Sequence, residues 1–271
     1  MTLTPTVKLP LDEPVDRVVA LRVGSLDTTK GALFHRFESY GEPDHPQRLD
    51  YYFFLIQSGN QAILVDTGFD RESAEHRGRQ VHLSASEALS HVGLSPADID
   101  LIVITHFHYD HIGNVRDFPG AELLLPRREV DFYRDPLSLR HHFSAHVERA
   151  HLATLEEAID RGRARLIDGR ESVAPGVAAL TVGGHSPGQQ VVEVRTRTGL
   201  LVLASDAVHL REELGLDRPF AVLTDLIGMY RTFESLRARQ EEGWTVIPGH
   251  DPCVSTEFPV VSPGAPAFEI A

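Results

Sequence analysis

The chain has 271 residues, of which 42% are hydrophobic and 24% are charged. These values predict a soluble globular protein of one large domain or two small ones, and they exclude a disordered or collagen-like chain. The net charge of −13 argues against a nucleic-acid-binding protein, which needs a basic surface. The single cysteine, Cys253, excludes an internal disulfide framework and a cysteine-rich zinc finger, whereas fifteen histidines are a high number.

The N-terminal residues show none of the features of a secretory signal. Residues 1–19 lack an apolar segment and a cleavage site of small residues. The longest apolar runs, such as residues 200–204, are far shorter than the roughly 18 residues that a membrane span requires. We therefore expect a cytoplasmic protein that does not enter a membrane.

Short apolar segments recur along the chain and predict β-strands. Most are continuous runs of Val, Ile and Leu, which is typical of strands that are buried on both faces of a sheet. In the first half, the predicted strands span residues 16–23, 51–57, 61–66, 100–105 and 121–126. In the second half, they span residues 177–182, 190–196, 200–206 and 245–249.

Helical patterns lie between these strands. Residues 84–93 begin with a Ser-x-x-Glu capping pattern, and residues 95–100 predict a helical turn. A further helix is predicted over residues 152–161. From Asp225 to Glu241, apolar residues fall on one helical stripe, which predicts packing against the core. The stripe consists of Leu226, Met229, Tyr230, Phe233 and Leu236.

Several predicted strands end in a cluster of polar residues. These clusters are Asp66-Thr67-Gly68, Thr105-His106, Ser205-Asp206 and Gly249-His250. Side chains at strand ends are held by a rigid sheet while they remain accessible. Because the pattern occurs in both halves, it predicts two halves packed as one αββα sandwich, an α/β fold in which helices flank two mixed β-sheets.

The whole chain is predicted to form one domain. This domain extends over residues 1–271, with its core at about 16–254. The Pro-rich ends, residues 1–15 and 256–271, are expected to be surface extensions. Residues 127–165, which contain several arginines and histidines, are expected to cover the functional site.

Residues 105–114, THFHYDHIGN, contain four potential metal ligands within six positions. His106 and His108 are alternate residues of an extended loop, so they can bind one cation together. Asp110 and His111 follow where the chain enters a helix, and we expect them to face a neighbouring second cation. Imidazole and carboxylate are the ligands that a divalent, zinc-like ion prefers. A purely structural role does not account for four such residues at this spacing.

Four ligands cannot complete two metal sites, so further donors are expected downstream. His185 lies in the segment GGHSPGQQ after a predicted strand, and Asp206 and His250 each follow another strand. Any one of them alone is more simply explained as structural, since an Asp at a strand end commonly caps a turn. Together, and in this order, the three supply the missing donors.

The run HxHxDH, followed by a glycine-flanked histidine and by Asp206 and His250, resembles the metallo-β-lactamase superfamily. The segment LVDTG, at residues 64–68, resembles a strand end of the same superfamily, and the likeness extends over about residues 50–254. It implies that one metal ion is held by His106, His108 and His185. It implies that a second is held by Asp110, His111 and His250, with Asp206 bridging both. Asp66 would orient a ligand histidine.

Within the superfamily, the segments HFHYDHIGN, GHSPGQQ and SDAVH are most similar to the N-acyl-homoserine lactonases and related lactonases. This resemblance implies a hydrolase that opens a lactone or a related ester, with two zinc or other divalent ions and a metal-bridging hydroxide. Those lactonases usually place a tyrosine three residues after the bridging aspartate, where this chain has His209. We expect His209 to polarise the substrate carbonyl instead, and Asp110 to carry a proton to the leaving alkoxide.

Other branches of the superfamily are alternatives. A glyoxalase II-like thioesterase shares all seven ligands. A mononuclear iron persulfide dioxygenase would bind one metal through His106, His108 or nearby donors, and a non-catalytic scaffold is the third alternative. Asp206 in place of a cysteine disfavours a secreted β-lactamase, His108 disfavours a flavodiiron protein, and the acidic net charge disfavours a tRNA-processing nuclease.

The expected partner is a small-molecule substrate, with no nucleic acid and no membrane. A homodimer is an open expectation.

Overall fold

Two β-sheets form the centre of the protein in the computed structural model, which describes residue 11 and residues 13–271. In the first sheet, the strands are β1 (Arg17–Thr29), β2 (Pro46–Ser58), β3 (Gln61–Val65), β4 (Gln80–Val81), β5 (Leu101–Val103), β6 (Glu122–Pro126) and β7 (Ala164–Ile167). The chain then forms β8 (Arg170–Ala174), β9 (Val177–Thr181), β10 (Gln190–Arg195), β11 (Leu200–Ser205) and β12 (Thr245–Pro248) of the second sheet. The last strand, β13 (Ala267–Glu269), returns to the first sheet.

Helices connect these strands. The α-helices are α1 (Lys30–Leu33), α2 (Arg71–His76), α3 (Ala85–Ser90), α4 (Tyr109–Ile112), α5 (Arg127–Arg134), α6 (His141–Ser144), α7 (Arg149–Asp160), α8 (Arg211–Leu216), α9 (Leu226–Glu241) and α10 (Cys253–Glu257). Short 3₁₀ helices lie at Phe37–Tyr40, Pro96–Asp98, Val115–Asp117 and Pro136–Leu139. Within the described ranges, none of the helices has both the length and the apolar character needed to cross a bilayer.

Both sheets combine parallel and antiparallel pairs. The first has the strand order β13-β1-β2-β3-β5-β6-β7, and β4 pairs with β1 beside it. From β3 to β7 the neighbouring strands are parallel, whereas the pairs that involve β1 or β2 are antiparallel. The second sheet has the order β12-β11-β10-β9-β8, in which β11 and β12 are parallel and the other pairs are antiparallel.

Alternate residues of one strand pack on opposite faces of the first sheet. Val18 of β1 and Phe54 of β2 belong to the core between the two sheets, together with residues of the second sheet such as Val192. The next residue of β1, Val19, and the preceding residue of β2, Phe53, belong to the core under the helices. The continuous apolar runs in the sequence therefore reflect strands that are covered on both faces.

Helices cover the outer face of each sheet. On the first sheet, the core includes Ala74 of α2, Leu89 of α3 and Leu155 of α7. On the second sheet, Met229 and Phe233 of α9 pack in a core of their own with residues of β10 and β11. Helix, sheet, sheet and helix follow one another as layers, and the prediction of an αββα sandwich is confirmed.

The predicted elements are found near their predicted positions. Every predicted strand corresponds to a strand of one of the sheets. Ser84 and Glu87 form the predicted capping box at the start of α3, and the predicted helices over 152–161 and 225–241 correspond to α7 and α9. The patterns in the sequence do not predict β4, β7, β8 or β13.

Two expectations need correction. Residues 256–271 are not only a surface extension, because β13 adds to the edge of the first sheet and buries Ala267 and Phe268. The stripe of α9 is buried at Met229, Phe233 and Leu236, whereas Leu226 and Tyr230 are 36% and 37% exposed. At the other end, residues 1–10 and 12 lie outside the described residues. The extent of the domain stays a prediction.

Candidate metal centre

The first four predicted ligands follow strand β5 and surround the start of helix α4. The extended chain after Val103 carries His106 and His108. His108 is also the N-cap residue of α4, so Asp110 and His111 fall in the first helical turn. All four side chains are buried. The loop and the short helix thus direct them into one region of the interior, as the spacing predicts.

The second sheet supplies the other three predicted ligands. His185 lies in the loop between β9 and β10, Asp206 directly follows β11, and His250 follows β12 after one glycine. Their exposed fractions are 1%, 4% and 2%. Each therefore follows a strand of a rigid sheet and is shielded from bulk water.

The seven residues come together as two groups. His106, His108, His185 and Asp206 form one group, and Asp110, His111 and His250 form the other. Within each group, one ligand atom per residue lies within 4.8 Å of the others. This division agrees with the two metal sites that the resemblance implies.

Asp206 belongs to the first group and also reaches the second, because its two carboxylate oxygens face different groups. Its Oδ2 is 3.3 Å from His185 Nε2 and 3.7 Å from His106 Nε2. Its Oδ1 is 3.0 Å from His250 Nε2 and 3.1 Å from His111 Nε2. A single carboxylate is therefore in position to contact a cation in either group.

Hydrogen bonds on the far side of two imidazoles fix their orientation. His111 Nδ1 donates to Asp66 Oδ2 at 2.7 Å, and Asp66 also accepts from the backbone and the hydroxyl of Thr105. His250 Nδ1 donates to the Asp50 carbonyl at 3.0 Å. With Nδ1 protonated, Nε2 of each ring is left to face Asp206 and the interior of the site, as metal-binding histidines require. Asp66 thus has the expected orienting position.

Glu129, which no sequence pattern singles out, forms hydrogen bonds to two loops that carry ligands of the first group. Its carboxylate accepts hydrogen bonds from the backbone N–H of Phe107 at 3.1 Å and of Gly188 at 2.7 Å. The residue is fully buried in α5. In the sequence it follows two arginines at a helix start, where an exposed side chain is the ordinary expectation, so nothing there signals this contact.

The electrostatics of the first group favour metal-binding protonation states. Burial, together with neighbouring imidazoles, lowers the pKa of His106, His108 and His185 well below the usual range, so these rings are neutral at pH 7. Burial alone would raise the pKa of Asp206, but the surrounding histidines, His111 first, hold it well below its usual value. Neutral imidazole and ionised carboxylate are the forms that bind divalent ions.

His111 differs from the other ligand histidines. Burial disfavours its charge, but Asp206, Asp66 and Asp110 outweigh burial and raise the pKa of His111 well above the usual range. Without a bound cation, a proton on the His111 ring therefore compensates part of the negative charge of these carboxylates. A bound cation would supply that positive charge instead.

Buried nitrogen atoms without hydrogen bonds show that the site fits a metal ion. Nε2 of His106, Nε2 of His111 and Nδ1 of His185 are buried and have no hydrogen-bond partner among the described residues. The first two lie within 4 Å of an Asp206 oxygen, but the geometry is not that of a hydrogen bond. Leaving such atoms unsatisfied is costly, and coordination of a cation by His106 and His111 would remove that cost.

His209 lies at the same site, next to Asp206. Its Nε2 is 3.0 Å from Asp206 Oδ2, and its Nδ1 is 3.2 Å from Oε1 of the fully buried Glu213. Its ring stacks on Phe220 with 3.6 Å between the centroids and 9° between the planes. Burial opposes a charge on this ring, but Asp206 and Glu213 raise the pKa of His209 to about 10. The sequence does not predict the role of Glu213, whose Oε1 also accepts the backbone N–H of His209 at 2.6 Å.

A cavity of about 290 Å³ opens onto these groups. Asp110, Asp206, His209 and other members of the site line one part of it. Most of the remaining wall is apolar, and it includes Leu26, Leu33, Leu49, Phe220 and Val222. A small molecule with an apolar portion therefore fits beside the candidate metal ligands.

The segment that was expected to cover the site, residues 127–165, places few of its histidines at the cavity. In residues 127–165, His146 borders the cavity and lies 5.3 Å from His108 between ring centroids. His141 and His142 are exposed instead. Of these three histidines, His146 is therefore the one that reaches the site.

Comparison with known proteins agrees with this geometry. The sequence model of the metallo-beta-lactamase superfamily matches residues 48–250. The N-acyl homoserine lactonase AiiB of Agrobacterium fabrum is 34% identical over 220 residues, which are 73% of this chain and 78% of that protein. An N-acyl homoserine lactonase of Bacillus cereus is 26% identical over 227 residues, which are 77% of this chain and 84% of that protein.

Solved structures share the fold. The crystal structure of a quorum-quenching N-acyl homoserine lactone lactonase has a TM-score of 0.73 at 22% identity, over 92% of this chain and 98% of that chain. AidC, a dizinc quorum-quenching lactonase in complex with a product, has a TM-score of 0.68 at 19% identity, over 89% and 90% of the two chains. Together with the family match and the identity to AiiB, these findings show that the chain belongs to the metallo-β-lactamase superfamily.

Proposed function

We propose that this chain is a metal-dependent hydrolase that opens the ring of a lactone or a related ester with two divalent metal ions. The observation that carries the proposal is the position of Asp206, which turns one carboxylate oxygen to each of two ligand groups. The curated relatives, which are named as N-acyl homoserine lactonases, support hydrolysis of a lactone. The predicted class of metal-dependent hydrolase agrees with them.

The ligands divide between the two ions. In the proposal, His106, His108 and His185 hold one ion and Asp110, His111 and His250 hold the other, with Asp206 between them. Imidazole nitrogen and carboxylate oxygen suit zinc, so two Zn²⁺ ions are the proposed native metals. The name of AidC as a dizinc lactonase supports the same choice.

The ions, when bound, lower the pKa of a water molecule towards neutrality and stabilise negative charge on the carbonyl oxygen of the substrate. The protein supplies the proton transfer. Asp110 lines the cavity, and its Oδ2 lies 3.8 Å from His111 Nε2 and 3.9 Å from His250 Nε2. We assign to this carboxylate, besides metal binding, the transfer of a proton from the attacking water to the alkoxide that leaves when the ring opens.

His209 is the proposed donor to the substrate carbonyl. The ring lines the cavity beside Asp206, and Phe220 and Glu213 restrict its orientation. In the proposal, Nε2, which lies 3.0 Å from Asp206 Oδ2, carries the proton and donates it in a hydrogen bond to the carbonyl oxygen as that oxygen gains negative charge. A donor in such a position is typically worth about 10²–10³ in rate.

A panel of lactones and thioesters, assayed with metal-reconstituted enzyme and combined with elemental analysis, tests the proposal. We expect about two zinc-type ions per chain and turnover of lactones above thioesters. Preferential turnover of thioesters would favour the glyoxalase II-like alternative instead. A single iron with persulfide oxidation would favour the dioxygenase, and metal binding without any turnover would favour a scaffold.

Location and assembly complete the proposal. We propose a cytoplasmic enzyme that acts on a small molecule and consists of one domain. Fractionation of cells that express the tagged protein tests the location. Homodimer formation stays a prediction, which light scattering during size-exclusion chromatography checks directly.

A further inference from the structure

Arg79 brings a positive charge to the wall of the cavity. It lies between α2 and β4, where its backbone N–H donates to the Ala74 carbonyl at 2.8 Å. Its side chain is partly buried, and among the described residues that line the cavity it is the one arginine or lysine. The backbone contact thus fixes the point from which the guanidinium group reaches the cavity.

The protein partners of this guanidinium group are neutral. Nε donates to the Tyr109 hydroxyl at 3.0 Å, and Nη1 donates to the Arg77 carbonyl at 2.6 Å. Across residues 13–271, Arg79 forms no ion pair with a carboxylate within 4.0 Å. Burial lowers the pKa of Arg79, but Tyr51, Tyr109 and the more distant carboxylate of Asp110 raise it. The neighbouring Arg77 differs, because its guanidinium group pairs with Glu148.

A guanidinium group is charged at every physiological pH and binds carboxylates through parallel N–H groups. Partial burial without an anionic partner is unfavourable for such a group. The hydrogen bond to Tyr109 nevertheless holds Arg79 at the cavity rather than leaving it free in solvent. A ligand with a negatively charged group would supply the missing partner.

Arg79 and the candidate metal ligands line the same cavity. The lining also contains apolar side chains such as Leu26, Leu33 and Val222, which suit a stretch of methylene groups. A substrate with a lactone ring, an apolar chain and an anionic group would therefore match all three kinds of lining residue.

We propose that Arg79 binds a carboxylate of the substrate, and that the preferred substrates are lactones whose acyl chain ends in a carboxylate. This inference rests on the proposed lactone hydrolysis and narrows its substrate class. Arg79 acts as a specificity-determining residue, because it contacts a substrate group that takes no part in ring opening.

Homoserine lactones acylated with succinate, glutarate or adipate provide a direct test. Each is compared with its counterpart in which the terminal carboxylate is a primary amide of nearly equal size. We expect a kcat/KM about 10- to 100-fold higher for the carboxylate at the best chain length, which is the range for a hydrogen bond to a charged group. In Arg79→Gln that ratio should fall to about one, and Arg79→Lys should keep part of it.

Arg71→Gln is the matched control, because it removes an exposed arginine of α2 that already has a carboxylate partner, Glu75. It should leave the carboxylate-to-amide ratio unchanged. Equal turnover of both forms by the wild-type enzyme, or a ratio that persists in Arg79→Gln, would overturn the inference.

A binding measurement separates this inference from the proposed reaction. The ring-opened forms of the same compounds are titrated calorimetrically into metal-loaded wild-type protein and Arg79→Gln. Tighter binding of the dicarboxylate, lost in the variant, supports the role of Arg79 even where no lactone is hydrolysed. Absence of turnover for every lactone would count against the proposed function alone. Equal binding of the carboxylate and amide compounds would show that Arg79 does not form an anion site.

Discussion

Glu129 Oε1 accepts a hydrogen bond from the backbone N–H of Gly188 at 2.7 Å. The other oxygen of the same carboxylate accepts the N–H of Phe107, which lies between His106 and His108 of the first metal group. A glycine is needed at 188, since a Cβ atom there would lie 2.7 Å from the backbone nitrogen of Glu129. One buried carboxylate therefore connects the loop of the first sheet that carries His106 to the loop of the second sheet that carries His185.

Glu129→Gln should weaken metal binding. The amide would offer an N–H group where the carboxylate now accepts one, so one of the two loop contacts would be lost. Loss of a residue that supports metal ligands typically costs about 10- to 100-fold in metal affinity. Competition with a chromophoric chelator measures this change. Asp131→Asn, at an exposed position of the same helix, is the control, and an affinity of Glu129→Gln equal to that control would exclude the positioning role.

Asp206→Ala should lose metal and activity together, because both ligand groups share this carboxylate. The expected metal content after dialysis is well below two ions per chain, as measured by elemental mass spectrometry. Asp117→Ala, at an exposed position, should retain both ions. Circular dichroism of the variant establishes that it is folded. Two retained ions and normal turnover would show that Asp206 does not bridge the site.

Asp110→Asn should lose catalysis by orders of magnitude while keeping part of its metal. An amide oxygen still coordinates a cation, but an amide cannot carry a proton to the leaving alkoxide. The measurement is kcat per metal-loaded site on a lactone. A near-normal rate with both metals bound would leave Asp110 as a ligand only.

His209→Phe should lower turnover by about 10²–10³ with both metals retained, since it removes one donor to the carbonyl oxygen. The phenyl ring keeps the stacking on Phe220, so the packing of the site is little changed. His209→Tyr should restore part of the rate, because a hydroxyl group donates again. Unchanged kinetics in the phenylalanine variant would reduce His209 to a packing role.

Local patterns in the sequence were enough to predict the layers of the fold and the seven residues that come together. Strands covered on both faces leave continuous apolar runs, and the spacing between His106 and His111 places four ligands on one loop and one helical turn. These features depend on residues that are close in sequence. The division of the seven between two metal sites around Asp206 came from the resemblance to the metallo-β-lactamase superfamily, and the structure brings together the same two groups.

The remaining features depend on contacts between distant segments, which no local pattern encodes. Glu129 and Glu213 are acidic residues near helix starts, and only the approach of another loop or ring gives them a role. β13 is three residues long and is stabilised by pairing with β1, so its own sequence carries little signal. Arg79 likewise becomes notable only because the structure leaves it without a carboxylate.

The ligands of the first group come from both sheets, with His106 and His108 from the loop after β5 and His185 and Asp206 from the loops of the second sheet. A metal ion bound there joins the two halves of the sandwich into one cooperative unit. Amide hydrogen exchange should therefore slow in β5 and β11 by the same factor when metal is added. If exchange slowed in only one of these strands, the halves would open independently of the bound ion.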